Sequence, residues 1–586
     1  MTTIEQPQPN PELAARADPV TTEVVRHALR SGAGQMKRVL VRTAFSPIIY
    51  EVFDFAVGLY DRDARMLAQA PTLPLKLGTL DACIKNAVEA IGGAEELADG
   101  DLLLYNVPYG TGAHPQDIAL IAPVFLDGEL VGYAPCKTHM VDLAGKDPYC
   151  TDTIDVHQEA TIFPGVKLYE AGKRNEEIWR IFMANSRAPK VVGGDLNAVV
   201  GCVRTGAQAL RAIIEKRGLD EFSACVERIF EHGERHMREF IARIPDGTYS
   251  TDCRIDDNGR DTEEIEFELG VEVAGSNITI DLTGAPDQQS GPVNSLRPNT
   301  VSMMRTALAS LAGSGVDADE GQFRPLTVDT RPGSIFESTY PAPSFVYWAA
   351  SLQLIDGFYR ALAPALPDEV AAESGSDMLV LMWWGHRRLD YQRRSTDWEE
   401  PWIDGGSTPI GQGGHAAGDG TNALIHISES ALRIGPAEKW EAQNPWLVER
   451  RELAPDSCGP GRHRGGLGVD FHVRALEDCY LTSVVERTKA PPRGLFGGGE
   501  ARANQVVVRH EDGRTTHHGK DTAVELKAGS LFEVHSGGGG GYGPPAERDP
   551  KLIEQDLVDG YVTAEHVRRW YPHYAGPFPH DGSPGE

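Results

Sequence analysis

No run of about 18 apolar residues occurs in the chain, so no segment reads as a membrane-spanning helix. The first residues, MTTIEQPQPNPELAARADP, lack the basic-then-apolar pattern of a secretory signal and read as a polar, proline-rich, disordered lead over 1–20. Cysteine is sparse and unpaired. The eight residues at 83, 136, 150, 202, 225, 253, 458 and 479 form no C-x-x-C pair, which excludes a disulfide framework and points to buried free thiols in a reducing, cytoplasmic setting. Basic residues are outnumbered, 56 Lys and Arg against 85 Asp and Glu, a net charge of -29. Nucleic acid and anionic membrane surfaces would repel such a chain, so neither is expected as a partner. A phosphate-binding Walker sequence is missing too: Gly513 is followed by Gly519-Lys520-Asp521, with the wrong spacing and no Ser or Thr after the lysine. No internal repeat stands out.

What remains is globular: 586 residues, 41% hydrophobic, with 63 glycines, enough for several domains. The pattern predicts an α+β fold in several parts. Residues 21–195 read as an α/β region, with a helix from Thr21 through Leu40 capped by Thr21 or Thr22, a hairpin from Phe55 to Ala68, a helix over Leu80 to Ile91 and a strand over Leu102 to Asn106. Residues 196–247 read as a helical hairpin, 248–404 as a mixed region opening with an antiparallel sheet, 405–548 as a glycine-rich, short-stranded β region, and 549–586 as a final helix and tail.

The chemistry concentrates between Asn106 and Lys167, where His114, Asp117, His139, Asp142, Asp147, Asp152, Asp155, His157 and Glu159 fall. Glycines and prolines in Pro108-Tyr-Gly-Thr-Gly-Ala-His114-Pro-Gln-Asp117 force a loop that projects His114 and Asp117. Apolar runs flanking Asp127-Gly128 then signal a hairpin, which returns His139 to the level of Asp117. Imidazoles with carboxylates and no nearby thiolate favour Zn, Mn, Fe or Co in an open, catalytic site. The alternative is a pair of hydrogen-bonding loop histidines beside solvated aspartates.

The segments FSPIIYEVFDFAVGLYD, LAQAPTLPLKLGTL, NVPYGTGAHPQDIAL, THMVDLAG, HQEATIFPGVKLYEAG and NSRAPKVVGGDLNA, followed by SGPVNS, DEGQFRPL, LAPDSCGPGRHRGGLG, PPRGLFGGG and GGGGGYGPP, run in the order found in B subunits of hydantoinases and oxoprolinases. The chain resembles that family over nearly its whole length, and the family also includes subunits of acetone and acetophenone carboxylases. The resemblance implies a metal held by His114, Asp117, His139 and Asp54, of which Asp54 is nominated by the resemblance alone. It implies substrate-facing or supporting roles for Asp142, His157 and Glu159, with Asp142 or Glu159 shuttling a proton. Departures at Asp142-Leu-Ala-Gly145 and Gln158-Glu159-Ala160, where the family more often has Asp-Ile-Gly-Gly and a glycine after the glutamate, bear on the substrate more than on the metal. The implied activity is ring opening of a cyclic amide by a metal-bearing subunit whose hydantoinase A-type partner binds ATP and phosphorylates the amide oxygen. A ketone carboxylase subunit and a non-catalytic scaffold remain as alternatives.

Five further features are ambiguous in sequence. Asn294, in Ser290-Gly-Pro-Val-Asn294, and His415 could face a substrate, and Gly461-Arg-His-Arg-Gly-Gly-Leu-Gly468 could cradle a phosphate through backbone amides. Glu231, His232 and His236 lie at helical spacing in a charged stretch and read as a solvated face. The run Gly537 to Gly541 reads as a close crossing of backbones.

Overall fold

A computed structural model describes residues 10–313, 318–386 and 401–578. The region carrying the candidate site is built on a seven-stranded antiparallel sheet. Its strands are β1 (Phe55–Asp61), β2 (Met66–Gln69), β3 (Leu102–Tyr105), β4 (Asp117–Leu126), β5 (Glu129–His139), β6 (Pro164–Glu170) and β7 (Lys173–Arg174), in the spatial order β2-β1-β5-β4-β3-β6-β7. β1, β3 and nearly all of β4 are buried without alternation. Both faces of the sheet are therefore covered, which explains why these strands read as continuous apolar runs.

Helices α1 (Pro19–Thr43), α2 (Pro189–Arg217) and α3 (Leu219–Ile241) pack together, and α2 lies across β4 and β5. Gly206 of α2 sits where a Cβ would meet the Met36 sulfur at 2.5 Å and the Ala134 Cβ at 2.8 Å. The expected helical hairpin is present, but its first helix begins at Pro189 and belongs to the cover of the first sheet. α1 begins at Pro19, and its cap is Asp18, whose carboxylate accepts from the Thr21 amide at 2.8 Å, in place of Thr21 or Thr22. Of the lead expected to be disordered, residues 10–20 are packed, with Ala14 and Ala17 buried and the Asn10 amide donating to Glu227 at 3.4 Å, while residues 1–9 lie outside the described residues.

A second sheet joins Gly247–Ile255, Ile265–Ala274, Asn277–Asp281 and Leu326–Asp329, the last pairing parallel. Its strands alternate buried and exposed residues, and the buried helix Trp348–Leu362 covers the inner face. Two further sheets carry the β-rich tail. One joins Pro401–Ser407, Val380–His386, Cys479–Val484 and Asp521–Leu526, and the other starts from Trp446–Leu453. A tryptophan cluster of Trp383, Trp402, Trp440 and Trp446 with Phe532 fills the space between them.

The glycine run is a backbone crossing. The amides of Gly539 and Gly541 donate to Gly466 and Gly499, while the carbonyls of Gly537 and Gly540 accept from Gly411 and Gly414, all at 2.9 Å. A Cβ on Gly465 would stand 1.7 Å from the Gly539 carbonyl oxygen, so no other residue fits. The same packing overturns the phosphate cradle. The amides of Arg462, His463, Gly465 and Gly466 already donate to backbone carbonyls, and the Arg464 guanidinium is bound by Asp556 at 3.0 Å.

Candidate metal centre

The site loop is shaped locally. A single helical turn, Pro108–Thr111, ends at Gly112, whose φ of 68° is left-handed and whose Cβ would lie 2.7 Å from the Asn299 amide. Only glycine meets both demands. Buried Asn106 ties the loop down by donating to the Pro115 and Thr161 carbonyls at 2.7 and 2.9 Å. Buried Lys137 holds Thr79 Oγ1 at 2.9 Å and the Thr111 carbonyl at 2.8 Å.

The hairpin does the rest. Asp127 and Gly128, at φ 52° and 86°, form its two-residue turn, and the register pairs Leu126 with Glu129 and Asp117 with His139. β1 lies on the far side of β5, where the His139 amide donates to the Asp54 carbonyl at 3.2 Å. Positions distant in sequence thus meet at one end of one sheet.

His114, Asp117 and His139 converge. The His114 Nε2 and His139 Nδ1 atoms lie 3.0 Å apart, at 3.3 and 3.1 Å from the same Asp117 Oδ1, and these three residues alone among those described form a cluster able to hold a metal. The Phe345 carbonyl sits 2.8 Å from His114 Nδ1. A carbonyl can only accept, so Nδ1 carries the proton and Nε2 presents its lone pair to the cluster. Burial holds His114 below the ordinary histidine value despite the Asp117 charge, which keeps the ring neutral as a ligand must be. Asp117 is fully buried, and its Oδ2 has no hydrogen-bond partner. Burial opposes its charge, but the Lys76 ammonium beside it holds the carboxyl well below its usual range. A neutral His114 imidazole with a second imidazole beside it, an ionised carboxylate and an orphaned buried oxygen fit a divalent cation.

Asp54 lies beside this triad and reaches it through Lys76. The lysine ammonium contacts Asp54 Oδ1 and stands 2.9 Å from Asp117 Oδ1. Burial disfavours its charge, but Asp117 and Asp54 raise it above the ordinary lysine value. Lys76 escaped the sequence reading. Its one signal is a lysine in the apolar stretch Leu73-Pro-Leu-Lys76-Leu-Gly78.

The cluster opens on a cavity of about 60 Å³, room for only a few water molecules. Asp54, Lys76, His114 and His139 form its polar end, and Leu75, Met378, Val380 and Met382 are among its apolar walls. Tyr149, Tyr347 and Trp348 complete the wall around His114, with ring centroids 5.5–6.3 Å from the imidazole. Glu429 and Ser407 also line it, the Ser407 hydroxyl donating to Glu429 at 2.8 Å. Burial pushes the Glu429 carboxyl up to about 8. Glu429 lies far along the chain in Ile427–Glu429, a short 3-10 turn with no motif to mark it.

Asp142, His157 and Glu159 do not line this cavity. Glu159 is fully buried, and its Oε1 accepts from the Ser344 and Phe345 amides at 2.6 and 2.7 Å and from the Thr153 hydroxyl at 3.0 Å. It fixes the residue whose carbonyl orients His114. Asp142 is buried against Arg187, at 2.7 Å from Nη1. The His157 ring is exposed and meets the Tyr340 hydroxyl at 3.0 Å. Asn294 turns inward, bonding Gln289, Gly291 and Pro343 backbone atoms at 2.6–3.0 Å, so it does not face a substrate. His415 lies in a turn with Gly418, away from the cavity wall.

With this geometry in place, the family model for hydantoinase B/oxoprolinase matches residues 18–545. The chain belongs to that family. Its relatives include the caprolactamase subunit beta of Pseudomonas jessenii, 29% identical over a 568-position alignment that covers 94% of this chain and 96% of the relative. The crystal structure of the ATP-dependent caprolactamase from that organism superposes with a TM-score of 0.85 at 28% identity, covering 95% of this chain and 96% of the other. A nucleotide-free acetone carboxylase structure superposes with a TM-score of 0.86, covering 96% of this chain and 80% of the other; at 17% identity the likeness is one of fold. Among the described residues no helix is long and apolar enough to cross a membrane.

Proposed function

We propose that this chain is the metal-bearing B-type subunit of an ATP-dependent cyclic amide hydrolase, acting with an A-type partner that phosphorylates the amide oxygen. The observation that carries the reading is the convergence of His114, Asp117 and His139, the two imidazoles of which line a small, largely apolar cavity. The name of the 29%-identical caprolactamase subunit supports the substrate class and the partner.

An unstrained amide is a poor electrophile; a phosphoryl group on its oxygen drains the carbon and lets the C–N bond break. His114, Asp117 and His139 would hold a divalent cation (Zn, Mn or Fe), with Asp54 as the fourth donor. Such a cation, when bound, supplies Lewis acidity, which makes water acidic enough to attack at neutral pH. The protein's own groups do the remaining work. The Phe345 carbonyl and Glu159 keep the His114 ring in its ligating tautomer. Met378, Val380 and Met382 give the cavity apolar walls that limit bulk water beside the imidazoles. Glu429, protonated at neutral pH because burial pushes it to about 8, stands on the cavity wall as the acid for the departing nitrogen. One water adds to the carbon and the C–N bond breaks as the nitrogen takes a proton, which leaves an acyl phosphate; a second water cleaves that to the carboxylate and inorganic phosphate.

The test is co-purification with the partner followed by incubation with ATP and either a lactam or hydantoin, or a ketone with labelled bicarbonate. Ring opening with phosphate release is expected. Incorporation of label into the ketone would instead make the chain a carboxylase subunit.

A further inference from the structure

The ammonium of Lys76 occupies the place where charge matters most. Asp117 Oδ1, the oxygen 3.3 and 3.1 Å from the two imidazole nitrogens, is also the oxygen 2.9 Å from Lys76 Nζ, and the same ammonium contacts Asp54. A cation ligated by Asp117 Oδ1 would sit at about 2.0–2.2 Å from it, only a few ångströms from a second positive charge in a buried site, where like charges repel strongly. A divalent ion that takes Asp117 Oδ1, the oxygen nearest both imidazole nitrogens, competes with the ammonium for that same oxygen. The lysine has somewhere to go. It lies on the cavity wall, on a flexible four-carbon stem, and Glu429 and Ser407 line the same cavity.

We infer that Lys76 is a resident counter-cation that competes with the metal for Asp54 and Asp117 and swings into the cavity toward Glu429 when the metal loads. The inference rests on the metal reading of the triad. It makes Lys76 a positioning residue with two stations: it neutralises the carboxylates of the metal-free protein, and in the loaded protein it places a cation beside the substrate. A lysine that merely tethered Asp54 would have the opposite effect on affinity, since its removal would loosen a ligand.

The experiment titrates zinc into the metal-stripped chain and reads affinity by calorimetry. Lys76→Met and Lys76→Gln remove the competing charge and should bind zinc at least about tenfold more tightly than the parent. Lys76→Arg, whose guanidinium forks onto both carboxylates, should bind about tenfold more weakly. The arginine variant keeps the ion pairs and decides the matter alone if the neutral variants do not fold. Equal or weaker binding by the neutral variants, or equal or tighter binding by the arginine variant, overturns the inference while leaving the metal site standing. No zinc binding by the parent overturns both.

Discussion

Asp117 and His139 face each other across the β4–β5 ladder, and the His139 ring nitrogen lies 3.1 Å from the Asp117 carboxylate. A one-residue slip in this hairpin would turn one of the two to the other face of the sheet, so the turn that sets the register also sets the site. Asp127 and Gly128 both have positive φ, and nothing lies within 4 Å of where a Gly128 Cβ would be. Gly128→Val should therefore act through backbone strain alone, costing about 1–2 kcal/mol in denaturant unfolding. Asp127→Asn, which tolerates the same conformation, should be close to neutral.

Glu159 separates an orienting role from a proton-carrying one. Burial raises it to about 8 against the amide and hydroxyl hydrogen bonds that favour its charge, so it is protonated at neutral pH. Glu159→Gln keeps an acceptor for the Ser344 and Phe345 amides and should retain ring-opening activity, while Glu159→Ala should lose much of it.

The same group carries a pH signature. Its folded value lies above the ordinary 4.5, so the folded state holds the proton over a range where the unfolded chain has released it. Glu159 thus stabilises the fold less and less as pH rises from about 4.5 to about 8. Thermal unfolding across that window should show Glu159→Gln gaining on the parent toward high pH; a constant difference would contradict the assignment.

Glu429 is expected to behave as the acid. Ring-opening rate should fall as pH rises through about 8, where the carboxyl loses its proton. Glu429→Gln, which cannot give up a proton, should slow turnover by about a hundredfold or more while leaving metal content unchanged.

Asp142 and His157 separate support from exposure. Asp142 is 1% exposed and paired with Arg187, so Asp142→Ala should cost about 2–4 kcal/mol of stability without emptying the metal site. His157→Ala, at an exposed ring, should change stability by less than about 0.5 kcal/mol.

Much of this was legible in the residues. Asp127-Gly128 between apolar runs gave the hairpin, and the hairpin gave the meeting of Asp117 with His139. The helices were legible from their periodicity, although α2 begins earlier, at Pro189, because glycines in its first turns weaken the apolar signal there. Long-range partners were not legible. Lys76 and Glu429 reach the cavity, and the Phe345 carbonyl reaches His114, from separate elements, and no local pattern records which side chain a sheet edge will face. Glu159 and Asp142 show the converse: they lie in the same stretch as the ligands, yet their carboxylates point into hydrogen-bond networks behind the site. Sequence proximity marks the neighbourhood, and the direction of each side chain decides the role.

The central claim is that His114, Asp117 and His139 grip one divalent cation. Its most direct test is metal analysis of the purified chain beside His139→Ala and Asp117→Asn, with circular dichroism to confirm that each is folded. About one equivalent of metal per chain in the parent, lost in both folded variants, is the predicted result; a parent that binds no divalent metal, or folded variants that keep the full equivalent, would contradict it.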